Sequence, residues 1–138
     1  MARHMVCLTF DFDVMSGYIA RGITTPTPIS RGEFGIVGAS RILPLLQAQK
    51  IPTTWFIPGF TIETYPEACA EVVKGGHEIG HHGWTHVQPA LLDRAQEESE
   101  MIRANDAIAR LCGQRAQGYR SPAWDLSPHT LELLIQHG

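Results

Sequence analysis

An α/β fold built on a parallel sheet is predicted by three features of this 138-residue sequence. Strand-like segments alternate with helix-like segments four times over, which calls for right-handed crossovers between parallel strands. Glycine and proline punctuate the joins. The residues able to do chemistry fall just after the strand-like segments, at the rim where α/β folds place their sites.

The first strand is predicted over residues 6–12, where Val6, Leu8, Phe10 and Phe12 alternate with Cys7, Thr9 and Asp11, and Asp13 continues the second side. Residues 14–34 are rich in Gly, Pro, Ser and Thr and read as a long loop of the kind that carries function. A helix follows over residues 36–49, kinked or shifted by Pro44. Residues 52–57 (PTTWFI) are β-branched and aromatic, a second strand ended by Pro58-Gly59. Thr64, Pro66 and Glu67 cap and open a helix that Gly75-Gly76 closes. Residues 77–80 form a short third strand. Residues 89–112 read as a long helix stopped by Gly113, its stripe of Leu92, Ala95, Ser99, Ile102, Asp106 and Ala109 only partly apolar. Residues 116–119 are a weak fourth strand, and Ser127-Pro128 start a last helix that runs to His137.

Residues 1–138 fit one domain on length, enough chain to bury roughly two-thirds of its surface. Eleven Lys and Arg against fourteen Asp and Glu give a net charge of −3, which offers no general attraction to nucleic acid or acidic membranes. At 43% hydrophobic and 18% charged, the chain is too apolar and too weakly charged for disorder. It lacks an apolar run of about 18 residues, and its N-terminus, MARHMVCLTFDFD, does not read as a secretory signal. Cys7, Cys69 and Cys112 are odd in number and form no CxxC. Neither a disulfide framework nor a thiolate zinc site is expected, and a reducing, cytoplasmic setting is. A closed barrel of strand–helix units needs ~200 residues or more. The four units are therefore a small open sheet or the front part of a barrel, and the site residues favour the barrel.

Asp11 and Asp13 stand two positions apart on the first strand, so their side chains leave one face, with Cα atoms roughly 6.6 Å apart. Two carboxylates so close repel, raising one pKa, unless a cation is near. Alone, the pair reads equally as a loop cap beside a solvated acid. His77, His81, His82 and His86 fall within ten residues. His77-Glu78-Ile79-Gly80-His81 spells the HExxH string of zinc peptidases, which works only on a helix. Gly75, Gly76, Gly80 and Gly83 disfavour a helix by ~1 kcal/mol each, and that reading is set aside. In His82-Gly83-Trp84-Thr85-His86, one histidine ends the third strand and the other lies on the turn that follows. With Asp13 they would make an Asp-His-His metal site that keeps a position open for water and substrate. A lone HxxxH also fits structural histidines, and His81 reads as a buried one. Arg120-Ser121-Pro122-Ala123-Trp124 follows the fourth strand. Arg120 would hold Asp11 through a bidentate pair, and Pro122 with Trp124 would form a wall for a sugar or ring face. The competing reading is a surface arginine on a turn beside a core tryptophan.

Together these segments resemble the polysaccharide deacetylase (NodB-homology, carbohydrate esterase family 4) family, over essentially the whole chain. The family's Thr-Phe-Asp-Asp motif appears as Thr9-Phe10-Asp11-Phe12-Asp13, with a residue between the acids. His-(Ser/Thr)-x-x-His appears as His82-Gly83-Trp84-Thr85-His86, with Gly where Ser or Thr is usual. Arg-x-Pro appears as Arg120-Ser121-Pro122. These departures, with IPTTWFIPG, GHEIGHHGWTH and YRSPAWDLSP, are similar to a branch of bacterial peptidoglycan-deacetylase-like and allantoinase- or imidase-like proteins.

The resemblance implies a deacetylase-type (β/α) barrel, of which the chain covers about the first four units. It implies hydrolysis of a non-peptide amide, foremost de-N-acetylation of a sugar or peptidoglycan-like substrate. Asp13, His82 and His86 would hold a divalent ion, zinc foremost, which polarises the carbonyl and lowers the pKa of bound water. Asp11 would act as general base, positioned by Arg120, and a backbone N–H at Ala123 or Trp124 would help hold the oxyanion. The family's later histidine, its general acid, has no counterpart before Gly138, and His129 and His137 read as solvated or capping residues. Two alternatives stand beside this reading: a cyclic amide or imide hydrolase, and a metal- or carbohydrate-binding domain without activity. A third is a plain α/β domain with an incidental histidine cluster. The open edges of an unfinished sheet predict association with another copy or with further chain.

Overall fold

Phe10 and Phe12 both pack against Trp55, with ring centroids 4.7 Å and 5.6 Å away. This aromatic contact lies beneath a parallel sheet, and the computed structural model describes it within residues 4–138. Strands β1 (Thr9–Asp11), β2 (Thr54–Ile57) and β3 (Glu78–His81) run in the order β1-β2-β3. Asp11 is registered against Phe56, and Phe56 against Gly80. The helices between them are α1 (Ser16–Ile19), α2 (Pro26–Gln49), α3 (Gly59–Thr64) and α4 (Pro66–Lys74), followed by α5 (Arg94–Cys112) and α6 (Thr130–His137). Trp55, Ile57, Val72, Ile108 and Leu133 are fully buried among them. Among the described residues, no helix is long and apolar enough to cross a membrane.

The α/β reading with parallel strands stands, and several local expectations are corrected. The first strand is shorter than residues 6–12: Val6 is 83% exposed and Leu8 42%, so the alternation carries structure only where Phe10 and Phe12 meet Trp55. The stretch 14–34 is not a loop throughout, because it contains α1 and the first turns of α2. Pro26 sits in the first turn of α2, where a missing N–H costs nothing, and the helix continues through Pro44. The fourth strand reduces to one parallel bridge, His81 to Tyr119. His81 N–H donates to the Gly118 carbonyl at 2.8 Å, and Arg120 N–H donates to the His81 carbonyl at 3.0 Å. Two bonds suffice to bring Arg120 beside the end of β3.

The long helix begins at Arg94, after a 3₁₀ turn over Pro89–Leu91. Asp93 opens it with a capping box, accepting from Gln96 N–H at 2.8 Å while Gln96 accepts from Asp93 N–H at 3.0 Å. Its buried side is Glu97, Met101, Ala104, Asn105 and Ile108, not the stripe through Ile102 and Asp106, both of which face solvent. Glu97 can be buried because the hydroxyls of Ser127 and Thr130, at the start of α6, both donate to its carboxylate.

Candidate metal centre

The candidate side chains leave the carboxyl ends of sheet elements. Asp13 lies two residues past β1, His82 directly follows β3, and Arg120 follows the Tyr119 bridge. The turn carrying Asp13 is fixed through its main chain. The Asp13 carbonyl accepts from Ser16 N–H (2.9 Å), the Ser16 hydroxyl (2.8 Å) and the Thr61 hydroxyl (2.7 Å). Helix α2 braces the same turn from outside. A Cβ on Gly32 would stand 2.5 Å from the Val14 carbonyl oxygen, so only glycine allows this approach.

His82 Nε2 lies 3.5 Å from Asp13 Oδ1, and His86 Nε2 lies 3.5 Å from Asp13 Oδ2. The three donor atoms fall within 4.8 Å of one another, the one such group of His, Cys, Asp or Glu among the described residues. Asp13 Oδ1 is buried with no hydrogen-bond partner, a costly state for a carboxylate unless a cation meets it. His82 Nδ1 stands 2.6 Å from the Arg120 carbonyl oxygen, which can only accept. Nδ1 therefore carries the proton, and Nε2 turns a lone pair toward Asp13, the tautomer a metal ligand needs. Burial holds the His82 pKa below its ordinary value, which keeps the ring neutral. Burial raises the Asp13 carboxyl above its ordinary 3.8; His86 and His82 pull it down, and Asp11 adds to the rise. The donor set, the orphaned oxygen and the tautomer all fit a divalent cation.

The turn between the two histidines is built to aim them. Gly83 has φ +71°, and a Cβ there would reach 3.0 Å from Pro122 Cγ. This is the physical reason for glycine where Ser or Thr is usual in the motif. The Glu100 carboxylate on α5 accepts from Trp84 N–H (3.2 Å) and Thr85 N–H (3.4 Å). His86 itself sits at φ +67°, unusual for a residue with a side chain. His81 has no part in the donor set. Its Nδ1 accepts from Gly83 N–H (3.1 Å), leaving Nε2 to donate to the Met101 carbonyl (3.1 Å), and burial lowers its pKa to about 4. His77 lies at the opposite end of β3, 3.0 Å from the Thr53 hydroxyl, and the HExxH residues lie on a strand rather than a helix.

Arg120 reaches Asp11, though not as a bidentate clamp. Its Nη1 donates to Asp11 Oδ1, while Nη2 donates to the Thr9 hydroxyl at 2.7 Å. The guanidinium lies 4.1 Å from the Phe56 ring centroid and 5.3 Å from that of Trp124. Thr9 and Phe56 thus share the work of holding Arg120. Their roles were not readable from spacing, since the contacts span more than 60 residues of chain. Pro122 is fully buried beneath Gly83 and forms no wall for a ligand. Trp124 is 79% exposed over Arg120. Its N–H is spent on the Ser121 carbonyl (3.1 Å), which leaves Ala123, on the cleft wall, as the backbone donor of the pair. That cleft, about 480 Å³, opens beside Asp13 and His86 and is also lined by Tyr18, Arg21, Gln88 and Leu91.

A family model described as polysaccharide deacetylase matches residues 32–138. The chain belongs to the polysaccharide deacetylase family. The peptidoglycan deacetylase of Helicobacter pylori is 39% identical over 137 residues, covering 97% of this chain and 47% of that protein. The crystal structure of a Mycobacterium smegmatis protein assigned as a polysaccharide deacetylase superposes with a TM-score of 0.85 at 32% identity, over 96% of this chain and 48% of the other. An allantoinase structure superposes with a TM-score of 0.84 at 24% identity, over 96% and 50%, a likeness of fold. The chain thus spans about half the length of the relatives it matches, and its sheet is that of a deacetylase barrel over the first strand–helix units.

Proposed function

We propose that this chain carries the metal-holding part of a deacetylase site that removes the acetyl group from an N-acetylated sugar of a peptidoglycan-like substrate. The observation that carries the reading is the meeting of Asp13 with His82 and His86, each imidazole 3.5 Å from one carboxylate oxygen, next to an Asp11 held by Arg120. Its relatives supply the substrate class: the Helicobacter pylori protein named above is a peptidoglycan deacetylase.

Asp13 Oδ1, His82 Nε2 and His86 Nε2 would hold the ion, with zinc the natural fit to two imidazoles and a carboxylate. Once bound, such an ion supplies Lewis acidity to the amide carbonyl and to the attacking water. Asp11 is the general base. Arg120 occupies its Oδ1, so Oδ2 is the oxygen left to take the proton as water attacks. Ala123 lines the cleft, and its N–H is the donor we assign to the developing oxyanion. His137 is bonded to Glu98 at 2.8 Å and takes no part in the cleft, so the proton for the departing amine is not assigned to it.

Bound metal per chain, measured by elemental analysis after zinc reconstitution, tests the reading. About one ion is expected in the wild type and in His77→Ala, and none in His82→Ala. Acetate release from N-acetylated glycan is then measured on the loaded protein. No metal in the wild type overturns the proposal.

A further inference from the structure

The cleft beside the donor triad carries a cation that the reaction above does not use. Arg21 lines it together with Asp13 and His86. Its head group is fixed at two points: Nε donates to the Gly17 carbonyl at 2.8 Å, and the guanidinium lies 5.2 Å from the centroid of the Tyr18 ring. Both contacts come from α1 and its cap, the same short helix whose Ser16 anchors the Asp13 carbonyl. The position of Arg21 is therefore tied to that of the donors.

Among the described residues, no carboxylate lies within ion-pair distance of Arg21, whereas Arg94, Arg103, Arg110 and Arg120 each have an acidic partner. With Nε committed to Gly17, the two terminal nitrogens keep their donors unspent on protein acceptors among those residues. A guanidinium edge of this kind matches a carboxylate in a planar, two-bond pair, and the aromatic ring beneath leaves its charge intact.

We propose that Arg21 is an anion subsite, and that the molecule whose amide is cleaved here also bears a carboxylate. The inference rests on the deacetylase reading of the cleft and narrows it. The favoured substrates are N-acetylated sugars with an acidic substituent, such as a lactyl ether, over neutral N-acetylglucosamine chains.

The test compares N-acetylmuramic acid with its methyl ester, which has no carboxylate charge. Binding of each to the zinc-loaded chain is followed by calorimetry or NMR titration, for wild type, Arg21→Gln and Arg21→Lys. A hydrogen-bonded charge pair leads us to expect the acid to bind roughly tenfold or more tightly than the ester in wild type. Arg21→Gln should abolish that advantage and Arg21→Lys should keep part of it. Arg21 is exposed, so these variants fold. Equal binding of acid and ester by the wild type, no binding of either at millimolar concentration, or an advantage that survives in Arg21→Gln overturns the subsite. Acetate release is scored separately. A charge preference without acetate release defeats the deacetylase reading and leaves the subsite, while release without a preference does the reverse.

Discussion

The Arg120 carbonyl oxygen sits 2.6 Å from His82 Nδ1, while the Arg120 side chain holds Asp11. One residue thus sets the tautomer of His82 through its main chain and holds Asp11 through its side chain.

These two duties are separable by substitution. Arg120→Ala keeps the carbonyl and removes the guanidinium, so it should retain metal while turnover falls about a hundredfold or more, the usual scale of general-base catalysis. Arg120→Lys should restore only part, since one ammonium cannot reach both Asp11 and Thr9 in a planar fork. Elemental analysis beside acetate release checks this. Loss of metal in Arg120→Ala would contradict the division.

Gly83→Ser, which restores the residue more usual in the motif, should be harmful here. The left-handed backbone at φ +71° costs a side-chain residue about 1–2 kcal/mol, and its Cβ would press on Pro122. The expected outcome is a melting temperature lower by several degrees and weaker zinc retention. A variant as stable as the wild type would show that the turn can repack.

Burial pushes the Cys69 thiol up from its ordinary 9.0 to about 12, while Cys7 is exposed. At pH 8, iodoacetamide should label Cys7 and spare Cys69 until the chain is unfolded. The linkage has a defined sign. The folded state binds the thiol proton more tightly than the unfolded state, so this stabilisation is complete below pH ~9 and fades as pH rises toward 12. Mass spectrometry of the labelled peptides reads the outcome, and native labelling of Cys69 at the rate of Cys7 would refute it.

The sequence pattern was most legible where a local rule and a tertiary contact agree. The aromatic β-branched run ending at Ile57 is a strand because it is also the centre of the sheet. The donor triad was legible because each member follows a strand end. The first turns of α2 were hidden by the Gly, Pro, Ser and Thr content of residues 14–34, yet Gly32 is there for contact with the Val14 carbonyl. The buried side of α5 was hidden by Glu97 and Asn105, polar residues at core positions, the former with partners on α6. The bidentate grip expected of Arg120 failed because Thr9, on the same strand as Asp11, takes its second nitrogen. Such choices between partners are made in three dimensions and leave no periodic trace.

The three hydrogen bonds that converge on the Asp13 carbonyl have a consequence for how this site can change. They store the shape of the turn in its main chain, independent of what the side chain at that position does. A substitution there can remove a ligand without unravelling the turn that presented it, and a later one can put it back. The side chain at this rim is therefore exchangeable over a scaffold that stays the same.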